Sequence, residues 1–144
     1  MDIKDCIDFA NKTKDCSMAT VEGNKPRVRM MGMWFADQTG FYFQAWTFKD
    51  VYKQLNENPN IEVCFYSKDK ENLYSMMRVR GVVEFLDDIN LKEKVLRDRP
   101  FLKDLGATGP DDPRIVIFLM SHGEASFWPK KKEGEYPGIE KVVF

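Results

Sequence analysis

Short apolar and aromatic runs separated by turn sequences constrain the fold of this chain more than any other feature. Gly-Asn-Lys-Pro at 23–26 and Asp-Gln-Thr-Gly at 37–40 each lie between two runs of strand-like composition, and such turns join antiparallel neighbours. The pattern predicts strands at 16–22, 27–35, 41–46, 61–67, 73–86, 114–120, 123–128 and 139–144, and helices at 2–14, 48–58, 87–99 and 100–106. Asp2 lies near the start of the first helix, and Asp87 or Asp88 is the predicted cap of the third. This alternation predicts a small antiparallel barrel with peripheral helices.

Length and composition fit a single domain over residues 1–144. With 43% hydrophobic residues among 144, the chain can bury a core of ordinary size. The 22 Lys and Arg residues nearly balance the 23 Asp and Glu residues, so no long-range field attracts nucleic acid or an anionic membrane. No apolar run approaches the ~20 residues of a membrane-spanning helix, and no signal peptide is evident at the start. A cytoplasmic protein with no nucleic-acid or membrane partner is expected.

The cysteines and the single histidine form no metal-site or disulfide pattern. Cys6, Cys16 and Cys64 include no Cys-x-x-Cys pair, which is typical of free thiols in a reducing compartment. His122 has no partner at the spacing of a zinc site, so no metal is expected. Nucleophile-elbow, dinucleotide-binding and P-loop motifs are absent from the sequence. His122 is therefore expected to be a structural or surface residue, and no catalytic residue is assigned.

Two predicted strands have unusual faces. In 27–35 both faces become apolar toward the end, and a barrel strand with one solvated side should keep a polar face. We therefore expect Met31, Met33 and Phe35 to need a cover, which a helix, a ligand or another subunit would provide. In 73–86 the predicted core face consists of Ser75, Met77, Val79, Gly81, Val83 and Phe85.

The opposite face of 73–86 carries Arg78 and Arg80 beside apolar residues. This composition indicates either a binding surface or an ion-pair ladder that includes Glu84.

The segment Thr47-Phe48-Lys49-Asp50 at the start of helix 48–58 has two interpretations. In the first, Thr47 is the N-cap of a capping box with Asp50, and the lysines of the helix are solvated. In the second, Thr47 and Lys49 join the unpaired amides of the helix start in a phosphate cradle. Arg27 and Arg29, on the strand paired with aromatic 41–46, would then suit a phosphorylated planar ligand.

The order of these segments resembles that of a known family. The stretches ATVEGNKPRVR (19–29) and KDVYKQLNENPNIEVC (49–64) are similar to the pyridoxamine 5'-phosphate oxidase-like family of FMN-binding split barrels, and most similar to its small single-domain members grouped with nitroimidazole-resistance proteins. The resemblance implies a mainly β fold, an antiparallel six-stranded Greek-key split β-barrel with a few peripheral α-helices. It also implies a homodimer with FMN in clefts at the dimer interface.

The resemblance further implies a set of cofactor-binding residues. It places two groups of residues beside the ribityl chain and the ring: Arg27, Val28 and Arg29 from one strand, and Gln44, Ala45 and Trp46 from the next. Thr47 and Lys49 would hold the phosphate. Arg78 would lie near the phosphate or near the ring. Phe48-Lys49-Asp50 stands where true pyridoxamine-phosphate oxidases carry Ser-Arg-Lys, and their C-terminal substrate-binding segment has no clear match. These departures count against pyridoxamine phosphate oxidation more than against FMN binding.

The function that the resemblance implies is an FMN-dependent oxidoreductase that reduces a small acceptor such as a nitroaromatic compound, with NAD(P)H as a candidate electron donor. Three alternatives stay open. The first is a non-catalytic flavin-binding stress or storage protein. The second is a pyridoxamine 5'-phosphate oxidase-related enzyme. The third is a barrel that binds heme or a deazaflavin, and of these two ligands heme has little support from the single histidine.

Overall fold

The structure is a computed structural model that describes residues 1–131 and 138–144. Its helices are α1 (Ile3–Thr13), α2 (Asp50–Glu57), α3 (Ile89–Asp98) and α4 (Phe101–Asp104). Its strands are β1 (Asp15–Glu22), β2 (Lys25–Gly32), β3 (Phe35–Asp37), β4 (Gly40–Trp46), β5 (Asn60–Lys68), β6 (Tyr74–Val82), β7 (Glu84–Leu86), β8 (Ile115–Met120), β9 (Gly123–Lys131) and β10 (Glu140–Val143).

The described strands form two antiparallel sheets. The six-stranded sheet has the order β10-β9-β6-β5-β1-β2, and the four-stranded sheet has the order β3-β4-β8-β7. The β1–β2 hairpin turns at Gly23, whose φ of 63° lies in the left-handed region that glycine adopts without a steric penalty. The predicted class, a mainly β antiparallel split barrel with a few peripheral helices, is confirmed.

Two predicted strands each divide at a corner where the chain changes sheets. Segment 27–35 leaves the six-stranded sheet after Gly32 and enters the four-stranded sheet as β3. Segment 73–86 divides in the same way between β6 and β7, where the amide of Val83 donates to the carbonyl of Pro59 at 2.9 Å. Inward and outward side chains alternate along the strands on either side of a corner, so a periodic sequence pattern does not reveal it.

The main core lies between the two sheets. Its fully buried side chains include Phe41, Phe43, Phe65 and Phe118, and a second cluster around Trp34 packs residues of the four-stranded sheet against α3 and α4. The core face predicted for 73–86 is largely confirmed, because its serine, methionine and valine positions are buried.

Of the three covers expected for Met31, Met33 and Phe35, the structure shows the helix, because α1 packs into the main core and α3 packs into the second cluster. Met33 is fully buried, Met31 packs against the main core, and Phe35 packs against the second cluster. Met31 lies in β2 on the side that faces the main core, and the corner after Gly32 leads Met33 and Phe35 into the two clusters. The exposed apolar side chains of β2 are instead Val28 and Met30, which are 72% and 69% exposed.

Helix starts are correctly predicted for α1 and α3. Asp2 caps α1 and forms a capping box with Asp5, and Asp88 caps α3 by accepting from the amides of Asn90 and Leu91. No helix in the described ranges is long and apolar enough to cross a membrane.

The predicted capping box at α2 is absent. The N-cap of this helix is Lys49, whose side chain makes no capping hydrogen bond. Before the helix begins, the chain makes a turn in which the amide of Lys49 donates to the carbonyl of Trp46 at 3.0 Å. Thr47 lies inside this turn, and its own amide donates to the carbonyl of Arg114 at 2.8 Å. Thr47 is therefore two residues too early to cap the helix.

Candidate functional site

A cavity of about 730 Å³ opens between β2, the end of β4 and the start of α2. Its size falls within the range of about 300–1,000 Å³ that is typical of small-molecule and cofactor sites. The lining residues are Glu22, Arg27, Val28, Arg29, Met30, Met31, Gln44, Ala45, Trp46, Lys49, Asp50, Val51 and Gln54. Because β2 is an edge strand of its sheet, the cavity is bordered there by exposed side chains.

The structure brings most of the predicted site residues together at this cavity. All the residues predicted from the two strands line it, as does Lys49. Thr47 is not among the lining residues, because it lies in the turn that follows β4.

Arg78 lies elsewhere in the chain. It belongs to β6, which β5 and β1 separate from β2. Its guanidinium lies 4.6 Å from the ring centroid of Trp128 and 3.7 Å from a carboxylate oxygen of Glu62. The neighbouring Arg80 pairs with Glu124 at 2.8 Å. An ion-pair ladder is therefore present, but the prediction that it uses Glu84 was wrong, because Glu84 lies in β7 of the other sheet.

A hydrogen-bond network behind the cavity wall was not predicted. Arg29 donates from Nη1 to Thr20 Oγ1 at 2.7 Å and to the carbonyl of Met18 at 3.2 Å. Its Nη2 donates to Gln54 Oε1, which also accepts from Thr20 Oγ1 at 2.6 Å. Thr20 and Gln54 are only 2% and 3% exposed, so the guanidinium is held by buried groups.

The network continues to the rim through a carboxylate. Gln54 Nε2 donates to Glu22 Oε2 at 3.2 Å, and Arg27 Nη2 donates to Glu22 Oε1 at 3.0 Å. These bonds from Gln54 and Arg27 lower the pKa of Glu22, so Glu22 is ionised at neutral pH. The sequence did contain a signal for this network, since Gln54 is a polar residue on the apolar stripe that Val51 and Leu55 define in α2.

The hydrogen-bond partners of the Arg29 guanidinium are all uncharged. In the part of the chain that the structure describes, no carboxylate lies within ion-pair distance of it, although Asp50 is close enough to raise its pKa. Burial acts more strongly and lowers the pKa of Arg29, yet a guanidinium stays charged in proteins. The wall of the cavity therefore presents a fixed positive charge that is not neutralised by direct contact.

The start of α2 adds a second attraction for anions. Lys49 has only hydrogen-bond donors on its side chain, so the first amides of the helix have no side-chain cap. These amides and the helix dipole favour a negative group. Among residues 1–131 and 138–144, Lys49 has no carboxylate partner within ion-pair distance.

Trp46 forms an aromatic wall of the cavity and is held from behind. Its ring stacks on Phe48 with centroids 5.4 Å apart, and the Arg114 guanidinium lies 5.6 Å from its centroid. Trp46 is 8% exposed, whereas Phe48 is 65% exposed. A flat ligand could therefore contact an ordered aromatic surface here.

The site lacks the usual groups of covalent or acid–base catalysis. Its lining, as far as the chain is described, includes no serine, cysteine or histidine. Burial raises the pKa of Cys16 to about 12 and that of Cys6 to about 11, so neither is a thiolate nucleophile. His122 is exposed between β8 and β9 and lines a different cavity. Over the described ranges, no cluster of three or more potential ligands could hold a metal ion.

Similar proteins share the fold over nearly the whole chain. A NimC/NimA family protein from Clostridium acetobutylicum matches with a TM-score of 0.77 and 26% identity, covering 98% of this chain and 91% of that chain. General Stress Protein 26 from Bacillus anthracis str. Sterne matches with a TM-score of 0.70 and 20% identity, covering 90% and 95%. HutZ, the heme storage protein from Vibrio cholerae, matches with a TM-score of 0.65 and 13% identity, covering 88% and 93%. The last two likenesses show the fold alone.

The sequence itself identifies the family. No curated protein gives a significant match, but the sequence model of the family described as pyridoxamine 5'-phosphate oxidase matches residues 4–129. This range contains both walls of the cavity and every residue that lines it. The chain therefore belongs to the pyridoxamine 5'-phosphate oxidase family.

Proposed function

We propose that this protein is an FMN-dependent oxidoreductase and that the cavity between β2, β4 and α2 binds the flavin at the interface of a homodimer. The observation that carries this proposal is the charge of Arg29. It is a half-buried cation with uncharged partners, and it lines a cofactor-sized cavity that also contains an uncapped helix start. Such a site favours a ligand with a phosphate group and an electron-rich ring.

The phosphate group fits the start of α2. Lys49 would provide an ammonium group, and the first amides of the helix would donate hydrogen bonds. Asp50 and Glu22 also line the cavity, but Glu22 is engaged by Arg27 and Gln54. With Arg27 and Glu22 paired, the cations Arg29 and Lys49 outweigh Asp50, the carboxylate that remains in the described lining.

The flavin ring fits the strands beside it. Val28 and Met30 supply apolar contacts from β2, while Gln44, Ala45 and Trp46 line the facing strand. When bound, FMN would supply the hydride or electron transfer. Arg27 and Arg29 would orient the ring and the ribityl chain, and their charge would favour the reduced, anionic state of the ring.

A second subunit would complete the site. Val28 and Met30 leave the cavity open at the sheet edge, and Arg78 with Trp128 lies on another part of the same sheet. We infer that Arg78 reaches the flavin of the partner subunit, since its own cavity lies beyond two intervening strands.

Heme is a less suitable occupant of this cavity. Heme iron is usually held by histidine, cysteine or tyrosine, or by methionine together with histidine. Within the described part of the chain, the lining provides Met30 and Met31 but none of the first three residue types.

The proposal is tested first by cofactor binding. We expect FMN to bind with the yellow absorption spectrum of a flavoprotein, and riboflavin to bind about tenfold or more weakly, because it lacks the phosphate that Lys49 and α2 would hold. The measurement is a titration of flavin-free protein with each flavin and, in parallel, with heme. Equal affinity for the two flavins, or preferred uptake of heme, would contradict the proposal.

A second experiment distinguishes an enzyme from a storage protein. Under anaerobic conditions, NAD(P)H should bleach the bound flavin, and a nitroaromatic acceptor should restore its colour. Flavin that dithionite reduces but NAD(P)H does not would instead support a non-catalytic flavin-binding protein or a different electron donor.

A further inference from the structure

We propose that Gln54 is a positioning residue that keeps the Arg29 charge available to the flavin, by holding the guanidinium while separating it from the carboxylate of Glu22. The inference rests on the proposed FMN site. Gln54 is buried in α2, whereas Arg29 and Glu22 lie on β2 and β1. The residue therefore links the helix that would meet the phosphate to the strand that would meet the ring.

The orientation of the Gln54 amide is fixed by its partners. Arg29 has only donors, so the atom that faces it must be the oxygen. Glu22 has only acceptors when ionised, so the atom that faces it must be the nitrogen. Thr20 Oγ1 accepts from Arg29 and donates to the same oxygen of Gln54. Each group of the network has a partner of the opposite kind.

The network contains three charged side chains and one uncharged side chain, Gln54, which lies between Arg29 and Glu22. Arg29 is positive, Gln54 is neutral, Glu22 is negative and Arg27 is positive. Glu22 is thus neutralised by Arg27 at the rim, where both side chains are more than 40% exposed. Arg29 is left without a direct counter-charge on the wall of the cavity. A carboxylate at position 54 would instead neutralise Arg29, and it would be ionised because the guanidinium lowers its pKa.

The decisive test is a variant in which the two side chains are exchanged, Glu22→Gln with Gln54→Glu. Its composition and net charge equal those of the wild type. Each hydrogen bond can form again, because the amide at position 22 can donate to the carboxylate at position 54 and accept from Arg27. Only the place of the negative charge changes, from the rim to the contact with Arg29. The exchange therefore separates charge placement from hydrogen-bond satisfaction.

We expect the exchange variant to keep the wild-type circular dichroism and urea midpoint, and to bind oxidised FMN about tenfold more weakly, because an ion pair now uses the Arg29 charge. Reduced FMN carries an additional negative charge, so its affinity for the exchange variant should fall further than that of oxidised FMN. Each tenfold by which the loss of affinity for reduced FMN exceeds the loss for oxidised FMN lowers the two-electron reduction potential of the bound flavin by about 30 mV.

Single variants identify the source of the effect. Glu22→Gln alone removes a negative charge from the site and should bind FMN at least as tightly as the wild type. If it weakened FMN as much as the exchange does, the loss of Glu22 would explain the result and the inference would be overturned. Should the exchange variant fail to fold, Gln54→Leu provides the test. It withdraws the acceptor from Arg29 and should lower both the FMN affinity and the potential.

The possible failures are distinguishable. Wild-type protein that binds no FMN would overturn the proposed function, and this inference with it. A folded exchange variant with wild-type FMN affinity and potential would overturn the inference alone and leave the FMN site intact.

Discussion

Asp112 shows how a single buried carboxylate supports the aromatic wall of the site. It is 2% exposed and accepts hydrogen bonds from the amide of Thr108 and from the amide and guanidinium of Arg114, at 2.8–3.0 Å. Arg114 also donates to the carbonyl of Gly106 at 2.6 Å and lies over Trp46. The loop before β8 is thereby fixed against the end of β4.

Stability should depend on pH through Asp112. Its bonds with Arg114 and with the amides of Thr108 and Arg114 hold the pKa of the folded carboxyl well below its usual range. The unfolded pKa is about 3.9, so the stabilisation is fully present above that pH and is lost as the pH falls toward the lower folded value. We expect Asp112→Asn to lower the free energy of unfolding at neutral pH. In acid, the free energies of unfolding of the variant and the wild type should become more similar.

Urea unfolding at about pH 7 and about pH 3 measures this effect. The matched control is Asp111→Asn, since Asp111 is exposed and adjacent. A difference between wild type and Asp112→Asn that stays constant with pH would show that the carboxyl has no such role.

At the scale of elements, α2 combines a weak helix start with a candidate ligand site. Its N-cap residue has φ −85° and ψ 147°, the extended conformation in which serine, threonine, asparagine or aspartate would normally cap the first amides. Lys49 leaves these amides without a cap. The start of α2 is thus less stable than a helix start with a capping side chain, and it is the place where the FMN phosphate is proposed to bind.

Lys49→Ser should therefore separate stability from binding. A serine hydroxyl can accept from the first amides, so the free energy of unfolding of the flavin-free protein should rise by about 1 kcal/mol. FMN affinity should fall about tenfold or more, because the ammonium is lost and the amides are occupied. Riboflavin affinity should change much less.

Thermal or urea unfolding and titrations with both flavins provide the measurements. Lys53→Ser is the matched control, because Lys53 is exposed on the same helix and is not among the residues that line the cavity. If both flavins lost affinity equally in Lys49→Ser, the phosphate could not lie at the start of α2.

At the scale of the whole molecule, the outer face of the six-stranded sheet carries several exposed apolar side chains in the part of the chain that the structure describes. The cross-strand pairs place Val28 beside Ala19 and Met30 beside Ser17, on the side of β2 opposite to Arg29. Other exposed apolar residues of this sheet are Tyr66, Val82 and Val143. A stable interface buries about 1,200–2,000 Å² in total and has an apolar centre. In the proposed homodimer the β2 end of this face would supply apolar contacts, while the ion pairs of Arg78 and Arg80 make the rest of the face more polar.

Charges placed on this face should dissociate the dimer. We expect the wild type to sediment as a dimer at micromolar concentration, and the double variant Val28→Glu with Met30→Glu to sediment as a monomer, because burying two unpaired carboxylates is unfavourable. FMN binding should weaken as well, both because the dimer dissociates and because Val28 and Met30 also line the cavity. Leu105→Glu serves as the control, since Leu105 is 66% exposed but lies outside both sheets. A wild-type monomer that binds FMN would exclude the shared site.

Local patterns in the sequence predicted the elements and much of the cavity lining. Turn sequences identified the β1–β2 hairpin and the turn before β4, and capping aspartates identified the starts of α1 and α3. The alternation of side chains within 73–86 predicted which residues are buried along β6. Arg27, Arg29 and Lys49 were expected at one site, and all three line the cavity. The pairing that was predicted between the strand of Arg27 and 41–46 was wrong, because β2 pairs with β1, and within 27–35 only the part in β3 pairs with β4.

Only the tertiary structure decided how these elements combine. The corners after Gly32 and before Glu84 depend on hydrogen bonds to distant segments, which a periodic pattern does not contain. Gln54 became part of the site because α2 packs against β1, more than thirty residues away along the chain. The sequence by itself determined a small antiparallel barrel with peripheral helices and the positive charges of its candidate site, since periodicity, turns and charge are local properties. The tertiary structure decided which of those charges are neutralised, because ion pairs and burial depend on contacts between residues far apart in the chain.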